Sequence, residues 1–165
     1  MNEQVKKKCF VVMPFGEKID HKGQKIQFDT VYKFIIKEVA DRVGLECVRS
    51  DEITVAGWVH KDMIEHILHD DVVIVDITTL NPNVFYELGI RHALRPSATI
   101  LLRMKGTKLP FNVRGMRMIE YGLDIASATK AKTEIEKFIV NGLKTKSNDS
   151  LVYDVLPGLK VSFEK

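Results

Sequence analysis

The segment Asp71–Leu94, DVVIVDITTLNPNVFYELGIRHAL, constrains the fold more than any other part of the chain. Its β-branched run, Val72-Val73-Ile74-Val75, reads as a buried parallel strand, because a strand covered on both faces is continuously apolar rather than alternating. The run ends on a carboxylate, Asp76, expected to stand exposed beyond the strand. A short polar loop leads to Asn81-Pro82-Asn83, which opens a helix, since Asn suits the cap and Pro the first turn. That helix carries a second carboxylate, Glu87, near its start. Strand, loop and helix N-terminus make a crevice edged by two acids, where ligands bind in open α/β sheets.

The remaining elements alternate in the same way. Cys9 to Met13 is a short apolar strand closed by the turn Pro14-Phe15-Gly16. From Phe28, apolar residues recur at Val31, Tyr32, Ile35, Ile36, Val39 and Val43, a helical stripe ended by Gly44. Leu45 to Val48 is a second strand, and Trp58 to Leu68 has helical spacing again. Ala98 to Leu102 and Met116 to Tyr121 complete five strands, and a last helix runs from about Ser127 to Gly142. Such alternation predicts an α/β, flavodoxin-like three-layer sandwich with a five-stranded parallel sheet, in the order 2-1-3-4-5 common at this length. That order sets the loop after Met13 beside Asp76 and Glu87. Residues 1–143 form the α/β domain, and 144–165 a polar linker with an apolar tail, Leu151 to Phe163, that packs on the domain or on a neighbouring subunit.

Composition narrows the classes. A chain of 165 residues holds one domain with a full core, and 45% hydrophobic and 28% charged residues are ordinary for a globular protein. The net charge of +3 is too small to argue for nucleic acid, and Lys6-Lys7-Lys8 reads as a solvated terminus. No apolar stretch reaches the ~20 residues of a membrane span, and no signal-peptide pattern opens the chain. Cys9 and Cys47 sit in apolar strand contexts and are expected to be buried thiols, which points to the cytoplasm.

Glu87 has a physical case as a catalytic group. Near a helix N-terminus its anion is favoured by ~0.3–1 kcal/mol. Such an anion can attack, or stabilise, a sugar cation at C1′ as a nucleobase departs, with a second acid protonating the leaving group. Asp76 is placed to be that acid or to hold sugar hydroxyls. Phe15 and Tyr86 offer aromatic faces for a base, and Asn83 a hydrogen bond for a hydroxyl. The plainer alternative is that Glu87 caps its helix and Asp76 merely ends its strand.

The pattern Asn83-Val84-Phe85-Tyr86-Glu87-Leu88-Gly89, after a strand ending in Asp76, resembles the nucleoside 2-deoxyribosyltransferase superfamily. There a Glu-aliphatic-Gly at the start of the third helix supplies the nucleophile. It also resembles TIR-like predicted nucleotide-binding domains of bacterial defence systems, in which such a Glu cleaves the glycosidic bond of NAD. The opening Cys9-Phe10-Val11-Val12-Met13-Pro14-Phe15-Gly16, the helix start Phe28-Asp29-Thr30-Val31-Tyr32, and the groups Arg49-Ser50-Asp51-Glu52 and Gly57-Trp58-Val59-His60-Lys61 extend the match over most of residues 8–121. Together these also look like a segment of the N-terminal regulatory part of apoptosis-signal-regulating kinases. The resemblance implies an N-glycosidase, hydrolase or transferase, or a nucleotide-sensing module without turnover. It further implies a homo-oligomer whose sites are completed by a neighbouring subunit, with the 56–69 and 83–94 helices and the 151–163 tail as candidate contacts. One departure matters. Many transferases carry Asp-x-Gly-Thr-x-x-Glu; aligned on Glu87, this chain has Asn81 for that Asp and Asn83-Val84 for Gly-Thr. That weighs against deoxynucleoside transfer and toward hydrolysis or binding alone.

Arg49 and Asp51, where the second strand ends, are candidates for phosphate or ribose, and Arg49 can fork onto a phosphate or form a loop ion pair. Pro14, Phe15 and Gly16 are expected to line the site, with Glu17 and Lys18 as lesser candidates. His60, His66 and His69 share a helix, but His60 and His66 lie on different faces without an acidic ligand set, so no metal centre is expected. Gly106, Pro110 and Gly115 make 104–117 a long basic loop expected to be mobile. A receiver domain would need an acidic pair where Met13-Pro14 stands, and a flavodoxin a Ser/Thr-rich phosphate loop there. No Walker or Gly-rich dinucleotide fingerprint is present. No cofactor, membrane or nucleic-acid partner is expected; the ligand class is a nucleoside, nucleotide or NAD-like molecule.

Overall fold

A computed structural model describes residues 5–53 and 59–163 of the chain. Five strands make one all-parallel sheet: β1 (Lys8–Val12), β4 (Glu46–Arg49), β5 (Val72–Asp76), β6 (Thr99–Met104) and β7 (Met118–Tyr121), in the order β4-β1-β5-β6-β7. The expected order made no allowance for a hairpin, β2 (Glu17–Ile19) with β3 (Lys25–Gln27), whose strands pair only with each other and take two places in the numbering. The architecture is α/β, with helices on both faces of the sheet, and is consistent with the flavodoxin-like class.

Strand β5 is buried at every position, as its uninterrupted apolar run requires. Its side chains alternate between two core layers. Val72 and Ile74 join the layer of Phe28, Ile36, Tyr121 and Ile135, while Val73 and Val75 join that of Phe10, Ile67, Val84 and Leu88. The first layer is roofed by α1 (Phe28–Val31), a π-helical segment Tyr32–Lys37, α2 (Glu38–Arg42) and α5 (Ile125–Thr145). The second is roofed by α3 (Val59–His69) and α4 (Pro82–Leu94), which pack side by side. The single helix expected from Phe28 to Val43 thus carries a π-helical insert. Trp58, expected to open the second helix, and Gly57 of the quoted motif lie outside the described residues, as does 56 of the proposed contact segment.

No α-helix joins β6 to β7, only a single 3-10 turn at Phe111–Val113. Instead, 105–117 closes the second layer, with Val113 buried and Leu109 and Met116 packed against it. The loop expected to be mobile is therefore anchored by apolar side chains. The tail packs on the domain: α6 (Leu151–Val155) contacts α4, and the buried Ser150 hydroxyl donates to the His92 carbonyl at 2.6 Å. Among the described residues, no helix is long and apolar enough to cross a membrane.

Candidate functional site

Asn81 opens α4 as the sequence predicts. Its side chain accepts from the Asn83 amide at 2.9 Å, with Pro82 in the first turn. The preceding residue, Leu80, has φ 54°, a left-handed conformation costly for a branched side chain, and so the entry to α4 is a strained turn. Val84, Leu88 and Arg91 face the sheet, and Glu87 lies on the flank of that stripe, half-buried. Tyr86, one residue earlier, is 70% exposed.

Burial pushes the Glu87 carboxyl up to about 7, with no hydrogen bond or ion pair among the described residues acting against the shift. The expectation of a dipole-stabilised anion is corrected. Glu87 sits in the second turn of α4, beyond the first turn over which the helix dipole acts, and desolvation decides its proton. A carboxyl that titrates near neutrality can serve as acid, base or nucleophile.

Asp76 is corrected more sharply. It is fully buried rather than exposed, and by strand alternation it points into the first core layer, on the opposite face of the sheet from α4. The Thr78 amide donates to its Oδ1 at 2.9 Å and the Tyr121 hydroxyl to its Oδ2 at 2.7 Å, and the Thr78 hydroxyl bonds it too. Thr78 Oγ1 also accepts from the Met104 amide at 2.9 Å, tying the β5–α4 loop to the end of β6. Burial raises the Asp76 carboxyl, opposed by these donors. The two acids read as the edges of one crevice do not face each other.

Arg49 is likewise occupied. Its side chain is 6% exposed, it ion-pairs with Asp29 at 2.8 Å and forks onto Asp51, and it lies 4.7 Å from the Tyr32 ring centroid. Tyr32 OH donates to Glu52 at 2.6 Å, and Asp29 also accepts from the Gly16 amide at 3.0 Å. Hence Gly16, Asp29, Tyr32, Arg49, Asp51 and Glu52 form one polar corner. It joins the ends of β1 and β4 on the first-layer side, because Arg49 has the same strand parity as Cys47. Local formal charge is negative, three carboxylates to one guanidinium, so the corner is poorly suited to the phosphate expected there. Nη1 of Arg49 is buried and has no partner among the described residues. Pro14 is buried, while Phe15 is 50% exposed with the Lys18 ammonium 5.5 Å from its ring centroid.

Apart from Pro14 and Phe15, the main predicted residues thus fall into three groups. Asn81, Asn83, Tyr86 and Glu87 share the start of α4; Gly16, Arg49 and Asp51 share the polar corner; Asp76 is sealed between strands. Sequence reasoning missed Tyr121, whose pairing with Asp76 is long-range, and Thr78, which bonds Asp76 from two residues further along the loop. It quoted Asp29, Tyr32 and Glu52 without assigning them roles. His66 bonds Asp70 at 3.0 Å and stacks on Phe10 at 4.9 Å.

No family model and no curated protein matches the chain. Among solved structures, the lysine decarboxylase LdcF of Francisella novicida aligns with 13% identity and a TM-score of 0.49, over 86% of this chain and 18% of that one. The chain therefore spans less than a fifth of that protein's length.

Proposed function

We propose that the protein cleaves the N-glycosidic bond of a nucleoside, nucleotide or NAD-like molecule, with Glu87 as the reacting carboxylate. The single observation behind this reading is a half-buried carboxyl, raised to about 7 and without competing partners among the described residues, on the helix that follows the central strand. Ionised, Glu87 bonds C1′ as the C1′–N bond breaks and the electron pair leaves with the base. A proton from water neutralises the base, and the hydroxide left behind attacks C1′, breaking the ester bond to Glu87 and freeing the sugar and the carboxylate. Tyr86 and Phe15 stack the base and Asn83 bonds a sugar hydroxyl. Asp76 keeps the β5–α4 loop in place and takes no part in proton transfer.

The finer fold assignment belongs to the same reading: a TIR-like relative of the deoxyribosyltransferases, acting in the cytoplasm, where two free buried thiols persist. A homo-oligomer would complete a shallow site, and the exposed Phe15, Tyr86 and Phe111 suit a contact with a second copy.

One observation favours a second reading, a nucleotide-sensing or scaffolding module without turnover: Asp76, the acid expected to assist Glu87, is sealed in the core. Incubation with NAD, nucleoside monophosphates and deoxynucleosides, followed by chromatography for free base, separates the two. Base release lost in Glu87→Gln supports catalysis. Release that persists in Glu87→Gln refutes the assigned role, and nucleotide binding without release supports the sensor.

A further inference from the structure

At the opposite end of the sheet, the residues preceding three strands, Lys7 before β1, Asp71 before β5 and Ala98 before β6, border a cavity of about 420 Å³. The C-terminal tail forms its outer wall. That tail is held at both ends: at its start Asp149 Oδ2 accepts from the Thr99 amide at 2.9 Å, and near its end the Phe163 ring meets His69 edge-on at 5.2 Å. Between these fastenings Leu159 and Val161, with Phe163 itself, line the cavity together with Leu94 and Leu143, all of them half-buried. Half-buried aliphatic groups around an unfilled volume gain by burial against a ligand chain. The volume lies at the lower end of the ~300–1,000 Å³ of small-molecule pockets, which suits a chain of medium length.

The charges at the cavity are lopsided. Lys7, Arg95 and Lys146 line it against one carboxylate, Asp71, which already accepts the Lys8 amide at 2.8 Å. The lining is mixed, with the apolar side chains of Leu94, Leu143, Leu159, Val161 and Phe163 beside these cations, and that pairing has the complement of an anionic amphiphile. We infer that this cavity binds a medium-chain carboxylate, with the alkyl chain between the tail and Leu143 and the head at Lys7, Arg95 and Lys146. The site is separate from α4's N-terminus and does not rest on the Glu87 reading.

Isothermal titration of the full chain with decanoate, octanoate and decyltrimethylammonium, each below its micelle concentration, tests this. Decanoate is expected to saturate one site. Octanoate, two methylenes shorter, should bind about tenfold more weakly. The ammonium, with the wrong charge, should show no saturation. Val161→Trp, filling the cavity from the tail, should abolish decanoate binding, and Arg95→Glu or Lys146→Glu should weaken it about tenfold. Glu87→Gln should leave it unchanged. Absence of saturable decanoate binding, equal binding of the ammonium, or undiminished binding in a Val161→Trp protein with an unaltered melting temperature overturns the inference. So does a loss of binding in Glu87→Gln, which would place the ligand at the other end of the sheet.

Discussion

The hydroxyl of Tyr121 donates to Asp76 Oδ2 at 2.7 Å, joining residues 45 apart in the chain and at the ends of strands β7 and β5. Both are buried, and the bond crosses the end of β6, which lies between those strands. Removing the hydroxyl by Tyr121→Phe leaves a buried carboxylate one donor short, which should cost about 1–3 kcal/mol. Burial holds Asp76 above the usual carboxylate range. The stability it contributes is thus fullest below its unfolded value of about 3.9 and is lost as pH rises through its folded value. The donor lost in Tyr121→Phe bonds the ionised form, so urea denaturation should show a larger loss at about pH 7 than at about pH 4. Equal losses at both would mean that Asp76 stays protonated throughout.

Glu87 makes a pH prediction of its own. Burial raises its carboxyl to about 7. A raised folded value means that stability is complete below about 4.3, declines as pH rises, and is fully lost above about 7. Glu87→Gln removes that ionisation, so the variant should be more stable than the parent at about pH 8, by on the order of 1–2 kcal/mol after allowing for solvent access. Base release, if Glu87 attacks as an anion, should rise with pH and level off above about 7. A flat profile across that range would exclude the nucleophile role.

Arg91 was not singled out from sequence, yet it is fully buried on the inward face of α4. Its guanidinium donates to the carbonyls of Ile67 at 2.7 Å, Asp70 at 3.1 Å and Ser97 at 3.2 Å, and burial lowers its pKa to about 10. The first two carbonyls belong to the end of α3 and the residue just past it, where a cation is favoured. Arg91→Met should orphan these acceptors and cost about 3 kcal/mol or more. Arg91→Lys should recover only part of the loss, because one ammonium cannot reproduce the planar fork. A chemical denaturation midpoint unchanged in Arg91→Met would show that water replaces the guanidinium.

The parallel sheet was legible because β-branched runs flanked by turn residues have few other solutions, and α4 because Asn81, Pro82 and the apolar spacing agree. The hairpin was not, since its six strand residues are exposed apart from Ile26 and carry no apolar alternation. Arg91 did leave a signal: it stands seven residues after Val84 on the stripe that faces the sheet, so a charged side chain there had to be buried and bonded. At the candidate site, spacing placed Asp76 at a strand end but could not say what covers it. Tyr121 and Thr78 cover it, one of them supplied by the last strand. For Arg49 the spacing left a phosphate contact and a loop ion pair open; the ion pairs that form are with Asp51, two residues on, and with Asp29, which comes from another element and could not be read from spacing.

Asn81 separates stability from chemistry at the start of α4. Its side chain accepts from the Asn83 amide, one of the first-turn donors that no helical carbonyl can reach. Asn81→Ala removes that acceptor and should cost about 1 kcal/mol, whereas Asn81→Asp keeps it and should match the parent within a few tenths. The aspartate also places at this position the acid that many deoxyribosyltransferases carry there. If Glu87 forms a glycosyl intermediate, Asn81→Asp should increase the yield of nucleoside made from an added acceptor base, relative to hydrolysis. Chromatography of the products with and without that base reads the ratio. An unchanged ratio in a folded Asn81→Asp protein would show that transfer is limited elsewhere than at Asn81. An Asn81→Ala protein as stable as the parent would mean that Asn81 contributes no net capping energy to α4.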